Sequence, residues 1–104
     1  MNVVTTLSPA GLKLTGEIDA ANAYLVGWAL REHAPASGSM HVDLGELSFC
    51  DVSGIREIVS YAETLDGDHR LVLHGVPLQI EKVMNVMGWA ELPGLEFCAC
   101  ELET

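Results

Sequence analysis

The sequence predicts one α/β domain spanning residues 1–104, built on a mixed, largely parallel sheet covered by alternating helices. Three observations carry this. The chain has 104 residues and is 49% hydrophobic, which suits one compact core and leaves no room for a second. Segments whose apolar residues recur at every second position alternate along the chain with segments whose apolar residues recur every three to four. The Pro and Gly residues fall at separate points between those segments and form no low-complexity tract. Strands that alternate with helices of this length imply βαβ units, because parallel neighbours need such a connection.

Val3 to Leu7 and Gly11 to Ile18 read as an initial strand pair around the turn-like Ser8-Pro9-Ala10-Gly11. Asp19 closes this section with a side chain able to accept from the free amides of a following helix. Ala21, Tyr24, Leu25 and Trp28 then recur at helical spacing, which predicts a first helix from about Ala20 to His33. Pro35 to Gly38 breaks it, and Met40-His41-Val42-Asp43-Leu44 alternates as an interior strand. A short loop should then lead into the second helix, where Ile55, Ile58, Val59, Ala62 and Leu65 form an apolar stripe and Glu57, Ser60 and Glu63 face outward. Ser53-Gly54 stands at the start of that helix and Asp66-Gly67-Asp68 turns the chain at its end. Arg70 to His74 reads as a further strand. Pro77 opens a third helix, with Ile80, Val83, Met84 and Met87 on one face and Gly88 as its stop, and a last strand spans about Leu95 to Leu102.

Charge narrows the partners. Five Lys and Arg against fifteen Asp and Glu leave a formal charge of -10, which repels nucleic acid and anionic lipid surfaces. The mean hydropathy of +0.27 is positive, yet the apolar stretches are short and interrupted, as where Arg31 and Glu32 follow Leu25 to Leu30, so no bilayer span and no direct membrane binding are expected. The N-terminus has neither the basic start nor the apolar stretch of a secretion signal, and a cytoplasmic location is the expectation. The residues fix no oligomeric state.

Cys50, Cys98 and Cys100 make an odd count that suits reduced thiols better than a disulfide framework. Cys98 and Cys100 share one face of a strand, but the second closely spaced Cys or His pair of a structural zinc site is absent, so the sequence predicts small core residues there and no metal. Cys50, Ser53 and the four His raise the question of hydrolysis. Ser53 lacks the Gly-x-Ser-x-Gly elbow, and no His lies in a motif that would make it a base; His41 and His74 read as sheet residues. No Gly-x-x-x-x-Gly-Lys loop occurs, and the reading is a binding protein without catalytic residues or cofactor.

The segment Asp43-Leu-Gly-Glu-Leu-Ser-Phe-Cys-Asp-Val-Ser-Gly-Ile-Arg56 delivers a hydroxyl to a helix N-terminus. Unpaired amides and the helix dipole favour negative charge there, so a phosphate on Ser53 is tolerated locally. Arg56, one turn on, is placed to pair with it, while Asp51 and Glu57 deepen the anionic patch. Two readings of Ser53 compete: a phosphate acceptor and a simple helix cap.

This strand-loop-helix segment resembles the signature of STAS domains, and specifically of bacterial anti-sigma factor antagonists. Gly16-Glu17-Ile18-Asp19 with Asn22 resembles the family's Gly-Glu-hydrophobic-Asp motif ahead of the first helix, and the likeness extends over nearly the whole chain. The resemblance implies that Ser53 is phosphorylated by a partner that is both anti-sigma factor and serine kinase, that a protein phosphatase restores the free hydroxyl, and that Asp19 lies near the site. It implies a partner-binding surface from Asp19, Asn22, Asp51, Val52, Ser53, Gly54, Arg56 and Glu57. Val52 departs from the pattern, because many members carry a second hydroxyl residue at that position. STAS domains also occur in transporters, stress-sensing assemblies and lipid-transport complexes, which leaves a second implication open: an interaction module that uses no phosphorylation cycle.

Overall fold

The computed structural model describes residues 1–7, 10–36 and 38–98. Its elements follow the order β1 (Asn2–Leu7), β2 (Ala10–Ile18), α1 (Tyr24–Glu32), β3 (Met40–Cys50), α2 (Val52–Glu63), β4 (Leu71–His74), α3 (Leu78–Val86), a short 3-10 turn at Trp89–Glu91, and β5 (Leu95–Cys98). The five strands form one sheet in the order β1-β2-β3-β4-β5. β1 and β2 are an antiparallel hairpin, and the remaining three pairings are parallel, so the mixed and largely parallel sheet expected from the alternation is what forms. Each successive strand is laid down beside the last in the same direction. Right-handed crossovers therefore return all three helices to one face of the sheet.

That face holds the core. Leu12, Leu14 and Ile18 of β2, Met40, Val42 and Leu44 of β3, and Leu71 and Leu73 of β4 meet Val26 and Leu30 of α1, Ile55, Ile58 and Val59 of α2, and Ile80 and Met84 of α3. Alternation sends the intervening residues Lys13, Thr15, His41, Asp43 and His74 to the opposite face. There His41 Nδ1 and His74 Nε2 lie 2.8 Å apart on adjacent strands, so one ring donates and the other accepts. Burial, and next the charge of His74, hold His41 below its ordinary range against the smaller upward pull of Glu96. Both histidines are sheet residues, as expected.

Several boundaries differ from expectation for local reasons. The first helix starts at Tyr24, because residues 19–22 close a separate hydrogen-bonded turn before the helix begins. The strand expected to end at Leu44 runs on to Cys50, its far half pairing with β2 from Glu46 opposite Thr15 to Cys50 opposite Ile18. Two register irregularities in β2, at Lys13/Thr15 and Gly16/Glu17, let this happen, and Gly16 absorbs one of them with a φ of 87°. No loop therefore precedes α2; Asp51 alone separates strand from helix. Pro77 is the N-cap of α3 and not a residue of its first turn, while Gly88 ends the helix in the left-handed conformation, φ 75°. The last strand is described as far as Cys98. Cys98 is disulfide-bonded, against the expectation of reduced thiols, while Cys50 is free; Cys100 lies outside the described residues.

Candidate functional site

The ends of β2 and β3 lie side by side and hand the chain to α1 and α2 at the same edge of the domain. Ile18 pairs with Cys50, and the Asp51 N–H donates to the Ile18 carbonyl at 2.9 Å, so the Asp19 turn and the start of α2 are neighbours. The two motifs singled out in the sequence are thus brought together.

At the α2 start, Asp51 holds extended backbone, φ -74° and ψ 160°, and its Oδ1 accepts from the Ser53 N–H at 2.8 Å. Asp51 is the N-cap. This overturns the reading of Ser53 as the cap: Ser53 is the second residue of the helix, its amide is satisfied by Asp51, and its hydroxyl takes no hydrogen bond within the described residues. The side chain is half-buried, and no buried side-chain polar atom among the described residues lacks a partner, so the unbonded Ser53 oxygen is open to water.

Gly54 explains how the helix comes so close to the sheet. A Cβ there would stand 2.6 Å from Ile18 Cγ2, closer than a Cβ atom approaches a neighbour, and 3.0 Å from Cys50 Sγ, a crowded contact. Gly54 is buried, so what the structure shows of it is a packing residue beneath the surface. The neighbouring Cys50 thiol is pushed up to about 11, first by burial and then by the charge of Asp51, and stays neutral at pH 7.

The other predicted positions divide by direction. Val52 is exposed beside Ser53. The Arg56 guanidinium lies over the Trp89 ring, 5.9 Å from its centroid, and is held toward the 3-10 turn by a cation-π contact. Glu57 faces α1, where a Cβ on Gly27 would meet its Oε1 at 3.2 Å. Asp19 Oδ1 accepts from the N–H groups of Ala21, 2.9 Å, and Asn22, 3.2 Å. Asn22 answers with its Oδ1 on the Asp19 N–H, 2.9 Å, and its Nδ2 on the Glu17 carbonyl, 3.0 Å. Both polar ends of Asn22 are spent on the turn, so it acts as a brace.

Sequence reasoning missed a groove next to this site. The end of β3 and the first turns of α2 and α3 enclose about 230 Å³ lined by Leu47, Phe49, Cys50, Val52, Ile55 and Ile80 among others. Phe49, 53% exposed, and Val52, 46% exposed, stand at its lip. The signal was the apolar spacing of Leu47, Phe49 and Val52, legible only once residues 45–50 are known to be strand. Among the described residues, no cluster of three or more His, Cys, Asp or Glu is placed to hold a metal, and no helix is long and apolar enough to cross a membrane.

No curated protein matches the sequence. Among solved structures the chain is similar to the anti-sigma factor antagonist SpoIIAA in its unphosphorylated form, with a TM-score of 0.61 and 19% identity, covering 88% of this chain and 80% of that one; at this identity the likeness is one of fold. The family model described as "Mlab, STAS domain" matches residues 1–95, and the chain therefore belongs to the STAS domain family.

Proposed function

We propose that this STAS domain is an anti-sigma factor antagonist: with Ser53 unmodified it binds an anti-sigma factor that is also a serine kinase, frees a sigma factor, and is switched off when that partner phosphorylates Ser53. The observation that carries the reading is the hydroxyl itself, open to water in the first turn of α2 while Asp51 does the capping. Such a group can be modified without unfolding the helix, because the helix does not depend on its oxygen. Arg56 lies on Trp89, which leaves Asp51 as the charge bonded into the same turn. A phosphoserine adds about -1.5 to -2 charges. Burying that charge unmatched at an interface costs about 3–5 kcal/mol, which weakens binding by about two to four decades. The kinase supplies the phosphoryl chemistry and a phosphatase reverses it, in the cytoplasm; the domain itself catalyses neither step and needs no cofactor.

A second reading is favoured by the groove. Phe49 and Val52 offer an apolar contact that needs no phosphate, which suits a STAS module assembling a signalling or transport complex. One experiment separates the two. The domain is incubated with ATP and each candidate anti-sigma kinase from its own genome, and phosphate is located by mass spectrometry. Modification at Ser53, loss of binding in Ser53→Asp and retained binding in Ser53→Ala establish the switch. Tight partner binding by both variants with Ser53 unmodified establishes the module.

A further inference from the structure

We propose that the β1 edge of the sheet is a self-association surface, on which a second copy of this chain lays its own β1 antiparallel and joins the two sheets into one. The inference is independent of the phosphorylation switch. β1 pairs with β2 over all six residues, Asn2 opposite Thr15 through Leu7 opposite Ala10, and forms the edge of the sheet. Its sequence, Asn-Val-Val-Thr-Thr-Leu, holds four β-branched residues, no charge and no proline, and Val3 and Val4 are 38% and 39% exposed. Within Asn2–Leu7 there is no charged residue, no proline and no register shift against β2 to guard the edge. The opposite edge has one: β5 carries Glu96, ion-paired to Arg70 at 3.2 Å.

Charge selects the occupant. All fifteen acidic residues lie from Glu17 onward, and Lys13 is the one charged side chain among residues 1–16. A protein of charge -10 repels its own copy over most of its surface. The β1–β2 hairpin is where two copies meet with least repulsion, and it lacks the negative charge that would draw a cationic strand instead. A two-fold axis normal to the sheet requires paired residues to share a face. Val3 and Thr5 lie opposite Leu14 and Leu12 on the helix side and Val4 opposite Lys13 on the other, so an axis through Val4 sets Val4 against Val4 and Val3 against Thr5. These are favourable cross-strand pairs. Six-residue strands bury less than the roughly 1,200 Å² of a standard stable interface, so the dimer is a weak one that forms reversibly with concentration.

Analytical ultracentrifugation of the full chain tests this up to about 1 mM protein. A monomer–dimer equilibrium is expected whose dissociation constant falls about tenfold between about 0.05 and 0.5 M NaCl, since salt screens the mutual repulsion of two anionic copies. Val4→Lys, which sets two ammonium groups face to face on the axis, should abolish the dimer, while Val4→Thr should keep it; matching thermal melts exclude misfolding as the cause, and Val3→Lys is the second variant should Val4→Lys not fold. A monomer at every concentration and salt overturns the proposal. So does a dimer that loosens with salt, or one that folded Val4→Lys or Val3→Lys leaves intact.

Discussion

Two strand-to-helix junctions stand side by side in this domain, and each is organised by an aspartate. At the β3–α2 junction Asp51 accepts from the amide two residues on, and the helix starts at the next residue. At the β2–α1 junction Asp19 makes the same contact with Ala21 and a second with Asn22, yet α1 begins only at Tyr24 and has no side-chain cap. The difference lies in what sits beneath. Gly54 lets the first turn of α2 settle directly on Ile18 and Cys50, so the backbone enters the helix at once. The Asp19 turn is instead closed on itself by Asn22, largely exposed, and the chain must complete it before helical bonding begins. A carboxylate at a strand end is therefore a cap or a turn according to how closely the following helix packs. Only the tight junction presents its hydroxyl at a fixed place.

The sharpest way to break this comparison is Gly54→Ala. Its methyl group would collide with the Ile18 branch, and overpacking should cost about 1–3 kcal/mol, read as a lower urea midpoint. An unchanged midpoint would show that the close approach is not what sets the junction. Asp51→Ala should cost about 1–2 kcal/mol through loss of the cap, with Asp51→Ser recovering most of it. Asp19→Ala should cost less, about 0.5–1 kcal/mol, because its bonds are exposed and close a turn outside the helix; equal losses at the two aspartates would erase the distinction drawn between them.

pH sharpens the same measurements. His41 is held below its ordinary 6.5 by burial and by His74, so the unfolded chain binds its proton more readily than the native one. Its contribution is complete above pH 6.5 and is lost as pH falls from there through the lower native value, so the urea midpoint should decline across that interval and level off beneath it, and decline less in His41→Gln. The smallest effect is expected at Ser53→Ala, within about 0.5 kcal/mol of the parent, since neither cap nor core uses the hydroxyl. A large loss there would return Ser53 to a structural role.

Much of the site was legible before any coordinates. Ser53 at a helix start, Asp19 and Asn22 ahead of the first helix, and the apolar stripe of α2 are local patterns, and local patterns survive into the fold. The extension of β3 to Cys50 was not legible, because the stretch after Leu44 reads as a short loop and only pairing with an irregular β2 makes it strand. The hydrogen bonds by which Asn22 closes its turn and the tight seat of Gly54 on Ile18 were not legible either, since both depend on backbone geometry that no residue pattern specifies.

The chain by itself determined the order and kind of its elements, the single core and its own strong negative charge, because periodicity and composition act within each segment and need no neighbour. Tertiary structure alone decided that Asp51 and not Ser53 caps α2, that Arg56 turns to Trp89, and that a groove opens beside Val52. Those outcomes depend on distances of a few ångströms between segments remote in sequence, set by how β2 shifts its register and how closely a glycine lets a helix approach the sheet.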